Sequence, residues 1–299
     1  MTRNRAAAVA LLAAAVAACH RDPPLPSDLS GRLVFVSDRG GRDAIYQKKL
    51  PAGEAELLLG LHEPVGDPAL SLDGQALAFS MGGRIGIMDV AARVPRFLTL
   101  GVDWKDSRPA WRPDGKALAV ISRRPDAQNH DIHLLFTATP TGVEARQPLT
   151  DTPGLDETAA AFSPDGSFLA LVRSGGVYRL EPGTDRASRL ITGFRVMRGV
   201  AFLTSGRLLS PWTEGKLFGL DMMETDGKGR ETLAQGSVFY REVAASPDGR
   251  YLAATVGFET DVMRLRQRAE IRLLDARGQA VGVLARSWRS NSHSPVWGR

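Results

Sequence analysis

The sequence predicts an all-β protein, a six-bladed β-propeller closed by a latch between its N- and C-terminal strands. Three observations predict it. A unit marked by a tight turn recurs along the chain, with its turn glycine at positions 74, 115, 166, 206 and 249. The spacing of 40 to 51 residues is that of propeller blades. Each unit then continues through further short apolar strands, with no sustained helical period after residue 31. Finally, the chain ends on a first strand without its successors and begins, at residue 31, without a first strand.

In chain order, the first element is an address. Arg3 and Arg5 precede an uncharged run from Ala6 to Ala18. That run is shorter than the roughly 20 apolar residues a membrane span needs and fits the core of a secretory signal. It ends in VAAC, Val16 to Cys19, which resembles the bacterial lipobox. The resemblance implies a lipoprotein signal peptide over 1–18 and lipidation of Cys19, the single cysteine of the chain. Acyl chains on that residue would supply stable anchoring. Because His20 follows, where an Asp favours inner-membrane retention in enteric bacteria, the expected destination is the outer membrane, facing the periplasm. Residues 19–30 hold the lipidated Cys and a flexible, Pro-rich tether, HRDPPLPSDLS.

The body, 31–299, carries the repeats. The clearest are RPAWRPDGKALAVIS (108–122), AAFSPDGSFLALV (160–172) and VAASPDGRYLAAT (243–255). PALSLDGQALAFS (68–80) is weaker and VAFLTSGRLLSPW (200–212) is degraded. Asp-Gly at four of the five corners is hairpin chemistry: Gly supplies positive φ and Asp bonds its own backbone. After the turn come a second apolar strand such as ALAVI, a third such as RIGIMDV or DIHLLF, and a short fourth such as RFLTL. Four hairpin-linked strands make a blade. Phe79, Trp111, Phe162, Phe202 and Trp297 recur once per unit and predict packing between adjacent blades.

The latch completes the count. In HSPVWGR, Pro295 and Trp297 match Pro109 and Trp111 of the best repeat. Joined to GRLVFVSDRGG, this tail makes a sixth unit, and the splice removes two unpaired sheet edges. The unit P-x-W-S-P-D-G-x-x-[LI]-[AV]-F followed by S-D-R-x-G-x-x-x-I-Y resembles the TolB-type propeller repeat. The best matches are Arg108–Ser122, Ala160–Val172 and Phe35–Tyr46. The resemblance implies a six-bladed ring that binds other cell-envelope proteins. TolB itself is a soluble periplasmic protein with an α/β domain before its propeller, whereas only an eleven-residue segment precedes the ring here.

Composition limits the function. At 299 residues, 43% hydrophobic and 24% charged, the chain has ample material for one large core. Loss of residues 1–18 would lower the formal net charge from +5 to about +3, and the bases are interspersed with acids. No basic block of the nucleic-acid-binding kind is present. G-x-S-x-G, P-loop and H-E-x-x-H motifs are absent, so no catalytic residues, metal site or cofactor are expected. The pair His130 and His133 points to opposite faces if both lie on a strand. Calcium at one of the turn acids Asp73, Asp114, Asp165 or Asp248 is the weaker alternative to a turn role.

The entry of each first strand should line one mouth of the central channel. Aligning the units on the turn gives three columns. They are Val65-Gly66-Asp67, Asp106-Ser107-Arg108, Glu157-Thr158-Ala159, Met197-Arg198-Gly199, Tyr240-Arg241-Glu242 and Ser292-His293-Ser294. From these, Asp67, Asp106, Arg108, Glu157, Arg198, Tyr240, Arg241, Glu242 and His293 are the candidate binding residues. Mixed acids and bases suit a peptide or protein segment better than a metal cage. Two longer loops, 123–131 and 257–270, are further candidate docking sites. The expected function is a membrane-anchored, non-catalytic, monomeric interaction module. The alternative is a small-ligand or metal-dependent propeller of the lactonase, lyase or sugar-binding type, using the channel.

Overall fold

A computed structural model describes residues 22–138, 145–184, 187–190, 196–197, 199–258, 268–286 and 291–298. All regular structure within them is β, in six antiparallel sheets. Blade 1 is built from Ser292–Gly298, Arg32–Ser37, Ala44–Lys49 and Ala55–Leu59. Blade 2 comprises Val65–Leu70, Ala76–Met81, Arg84–Asp89 and Pro95–Phe97; blade 3, Lys105–Trp111, Ala117–Arg123, Asp131–Phe136 and Arg146–Pro148. Blade 4 comprises Glu157–Phe162, Leu169–Arg173, Gly176–Leu180 and Ala187–Arg189; blade 6, Phe239–Ala245, Tyr251–Phe258, Arg268–Asp275 and Ala280–Ala285. Blade 5 has Leu208–Glu214, Leu217–Met223 and Glu231–Gly236 as its outer strands. Its inner strand is broken into Val196–Met197 and Ala201–Phe202, both pairing with Leu208–Glu214. This is the unit whose sequence lacks both the Pro and the Asp-Gly of its siblings.

The latch is present. Ser292–Gly298 pairs antiparallel with Arg32–Ser37, placing Leu33 opposite Trp297 and Val34 opposite Val296. Ser37 donates its hydroxyl to the Asn291 carbonyl at 2.8 Å, and the Asn291 N–H donates to Asp38 at 2.6 Å. Blade 1 is thus made of both ends of the ring-forming chain.

The strand pattern explains the core. Alternate side chains of the middle strands point into the seams, where six apolar clusters sit, one between each pair of neighbouring blades. The predicted once-per-blade aromatics are there: Trp297 in the 6/1 seam, Phe79 in 1/2, Trp111 in 2/3, Phe162 in 3/4 and Phe202 in 4/5. Trp297, buried, and Trp111, half-buried, donate Nε1–H to backbone carbonyls, Trp111 to Ala69 at 2.9 Å and Trp297 to Ser30 at 3.0 Å. Complete burial of side chains such as Phe35, Phe79 and Trp212 contributes roughly 2–3 kcal/mol each.

The turns follow their chemistry. Gly115 has φ +71°, and Asp114 accepts the Lys116 N–H at 3.0 Å. Hydrogen bonds from Ser163 and the Ser167 N–H hold the equivalent Asp165 carboxyl down at about 2. All four turn acids make the same bond to the residue two positions on.

The segment before the ring behaves differently from the tether expected there. Residues 22–30 lie against blade 6. Leu29 is buried in the 6/1 seam, with Leu25 packed beside it. Gly282 makes room for this, since a Cβ there would stand 2.7 Å from Leu25 Cδ2. Asp28 accepts from Arg250 Nη1 at 2.6 Å and from the Tyr251 hydroxyl at 2.9 Å. Asp22 pairs with Arg286 at 2.9 Å. The ion pairs are exposed and individually weak, so the leucines provide most of the holding.

Candidate functional site: the central channel

Two positions per blade face the axis. The first is the third column of the aligned units: Asp67, Arg108, Ala159, Gly199, Glu242 and Ser294. The second is the residue after it: Pro68, Pro109, Ala160, Val200, Val243 and Pro295. Together with Asp156, Thr158, Met197 and Arg241 they enclose a cavity of about 550 Å³, to which every blade contributes. A polar, variable tier therefore sits on a small, apolar one.

A recurrent irregularity aims the polar tier inward. In blades 2 and 3 the pairing of first and second strands shifts register between Gly66 and Ala69 and between Ser107 and Ala110. The residues in the bulge have left-handed backbones: Asp67 at φ +48° and Arg108 at +50°. Ser294 of blade 1, at +51°, matches them. Non-glycine residues in this region cost about 1 kcal/mol or more each, and such strain concentrates where a side chain has to be aimed.

The polar groups of the cavity are partly wired together. Asp67 accepts the Ser80 hydroxyl at 2.8 Å and the Arg108 N–H at 3.2 Å. One end of the Arg108 guanidinium donates to the Thr158 carbonyl of the next blade. Asp156 accepts from His130, through both backbone N–H and ring Nδ1, at 2.9 and 2.8 Å. Arg241 is exposed, its guanidinium 6.0 Å from the Phe239 ring centre. Glu242 Oε2 is buried and has no hydrogen-bond partner among the described residues. Both cations thus keep donors for an incoming acceptor, and Glu242 keeps an acceptor for an incoming donor.

Asp67, Arg108, Arg241 and Glu242 of the predicted set meet in the cavity. The others do not. Asp106 and Glu157, expected at the mouth, are buried inside their blades. Asp106 takes a bidentate pair from Arg146 at 2.9 and 3.0 Å and the Ser122 hydroxyl at 2.6 Å. Glu157 takes Arg173 Nε at 2.6 Å and the Thr152 hydroxyl at 2.9 Å, while burial still pushes its carboxyl up. Tyr240 packs in the 5/6 seam, where burial raises its phenol. His293 is half-buried and touches the Ser294 hydroxyl at 3.0 Å. Arg198 and Cys19 lie outside the described residues. The bulge explains the misplacement: simple alternation would put the first and third columns on one face, but the register shift turns the third column to the axis and leaves the first packed within the blade, where Val65 and Met197 are apolar. The proline tier went unnoticed because it reads as repeat framework.

His130 and His133 do not converge. His130 is in the loop before its strand, on Asp156, whereas His133 is buried against Trp104 with ring centres 4.5 Å apart. Among the described residues, no three His, Cys, Asp or Glu side chains are grouped to hold a metal. Of the two candidate docking loops, 124–130 is described, and 259–267 lies outside the described residues.

The ring defines the class: a six-bladed β-propeller with an open, mixed-charge channel. Within that class the chain is similar to TolB proteins. No family model matches it. It is similar to the protein TolB homolog of Chlorobium luteolum, 34% identical over 166 residues, or 53% of this chain and 36% of that one. The chain thus spans about a third of the length of that curated relative. The crystal structure of TolB from Acinetobacter baumannii superposes with a TM-score of 0.73 at 17% identity, covering 91% of this chain and 68% of that one. An oligogalacturonate lyase from Vibrio parahaemolyticus also superposes, with a TM-score of 0.59 at 12% identity over 86% of this chain and 76% of that one. At such identities the superpositions show the fold alone, and the fold is shared with enzymes.

Proposed function

We propose that this chain is a membrane-anchored, non-catalytic, periplasmic interaction module whose channel takes a segment of another cell-envelope protein. The anchor is the lipid on Cys19, and the outer membrane is the destination. The observation that carries the reading is the channel: a pre-formed cavity, contributed by all six blades, in which strained backbones aim Arg108 and Asp67 beside Arg241 and an unpartnered Glu242 oxygen. A rigid scaffold with unsatisfied groups of both signs suits a polar peptide segment, which carries acceptors and donors along its backbone. The likeness to TolB proteins supports an envelope partner.

The test is co-purification from detergent-solubilised envelopes. The native chain should retain a specific envelope protein, and the Arg108→Glu/Arg241→Glu chain should lose at least about 90% of it, since each buried charge-assisted contact is worth on the order of 1.5–3 kcal/mol. Equal retention by both chains would remove the channel from the reading. Cys19→Ser should move the protein out of the membrane fraction; unchanged partitioning would remove the anchor.

A further inference from the structure

The segment between Cys19 and the ring is shorter in practice than in sequence. Eleven residues, 20 to 30, separate them, and as a free chain they would reach about 36 Å. Residues 22–30 are, however, laid along blade 6. Their course can be followed from one end of the ring to the other. At Asp28 the segment touches Arg250 and Tyr251, at the turn end of the blade. By Asp22 it has reached Arg286, just after Ala285. Ala285 pairs with Ile271, whose neighbour Glu270 pairs with Val256, and Val256 pairs with Tyr240 beside the channel residues Arg241 and Glu242. Asp22 therefore stands at the channel-mouth end. Only three residue steps remain to Cys19, a reach of about 10 Å.

The mouth end also carries a surface suited to a bilayer. At this end Leu100, Val102 and Leu155 in loops and Leu217 at the start of its strand are exposed by 54, 67, 41 and 50%. Arg39 and Arg42, in the mouth-end loop of blade 1, are exposed at the same end. Apolar side chains at loop tips and guanidinium groups meet what a membrane offers at its surface, acyl boundary and anionic headgroups.

We propose that the N-terminal segment is a strap that holds the ring mouth-first against the lipid surface, in place of a loose leash. The inference rests on the lipid anchor at Cys19. The protein segment taken by the channel is then one presented at the same membrane surface, and it enters as an extended chain through the narrow space between ring and bilayer.

Two label sites on blade 2 test this. Val102 is at the mouth end and Val94, 72% exposed, is at the opposite end of the same blade. Lipidated full-length Val102→Cys and Val94→Cys, each labelled with a donor dye, are placed in vesicles of phosphatidylethanolamine and phosphatidylglycerol that carry an acceptor on the headgroups. Energy transfer should place the Val102 label nearer the bilayer by roughly the 20 Å height of a blade. In the Asp22→Ala/Leu25→Ser/Asp28→Ala chain that difference should shrink at least about two-fold, as the reach of the leash returns toward 36 Å. Equal transfer from the two sites with the native strap, or stronger transfer from Val94, overturns the proposal. An unaltered difference after the strap substitutions overturns the role of the strap. Failure of Cys19 to incorporate fatty acid is a separate result; it removes the anchor itself, and this inference with it.

Discussion

His133 shows how much a single side chain in a blade interior depends on its surroundings. It is buried between Trp104 and the Asp106–Arg146 pair, and its Nδ1 has no partner among the described residues. Burial, with the Arg146 guanidinium nearby, pushes its imidazole down to about 4. The cation is disfavoured in the folded chain, so the unfolded chain binds the proton first. The contribution to stability is complete above the ordinary imidazole value near 6.5 and is lost as the pH falls toward 4. Across that window the loss should be on the order of 2–3 kcal/mol. His133→Leu should flatten the pH dependence of the urea midpoint between pH 7 and pH 4.5; a curve parallel to that of the native chain would contradict this origin. None of this environment was legible in the sequence. His133 reads as one polar residue in DIHLLF, and its neighbours come from Trp104 and Arg146, brought together only by the sheet. The channel residues were half legible for a similar reason. Alignment on the turn located the right three columns, but which column faces the axis depends on the bulge at Asp67 and Arg108, and a bulge leaves no mark in residue type.

Strand and turn place different demands on glycine. Gly86 lies in a central strand of blade 2, and a Cβ there would stand 2.3 Å from Phe79 Cζ. Gly115 is at a turn with φ +71° and open space around it. Gly115→Ala meets only the backbone penalty of about 1 kcal/mol. Gly86→Ala has to displace a fully buried ring and should cost about 3 kcal/mol. Guanidinium unfolding of the two variants should rank them in that order, and equal midpoints would mean that the seam tolerates movement of Phe79. The elements themselves were largely legible. Most of the expected strands, ALAVI and DIHLLF among them, fall within one or two residues of those observed, because hairpin turns and apolar runs are local signals. The strap was not. HRDPPLPSDLS has the composition of a linker, and the groups that hold it, Arg250, Tyr251 and Arg286, are more than 220 residues away.

For the molecule as a whole, closure is the decisive property. Ser292–Gly298 supplies the inner strand of blade 1 and also contacts blades 2 and 6. Deleting residues 291–299 would leave one edge of Arg32–Ser37 unpaired and open the 6/1 seam around Leu33, Phe35 and Ala253. The chain so shortened should lose its cooperative thermal transition and bind a hydrophobic dye; a transition within a few degrees of the native one would mean that the ring holds without its latch. This closure was legible, since Pro295 and Trp297 repeat Pro109 and Trp111. Those prolines have a second effect. Pro68, Pro109 and Pro295 sit on the innermost strands of three consecutive blades, with their inward edges bordering the cavity. An imino nitrogen offers no hydrogen to a neighbouring backbone, so these edges are blunted against extension of the sheet. A guest chain cannot be read there by adding itself as a fifth strand. Discrimination falls to side-chain groups, and the sequence of the guest, more than its readiness to form β-structure, determines whether it stays.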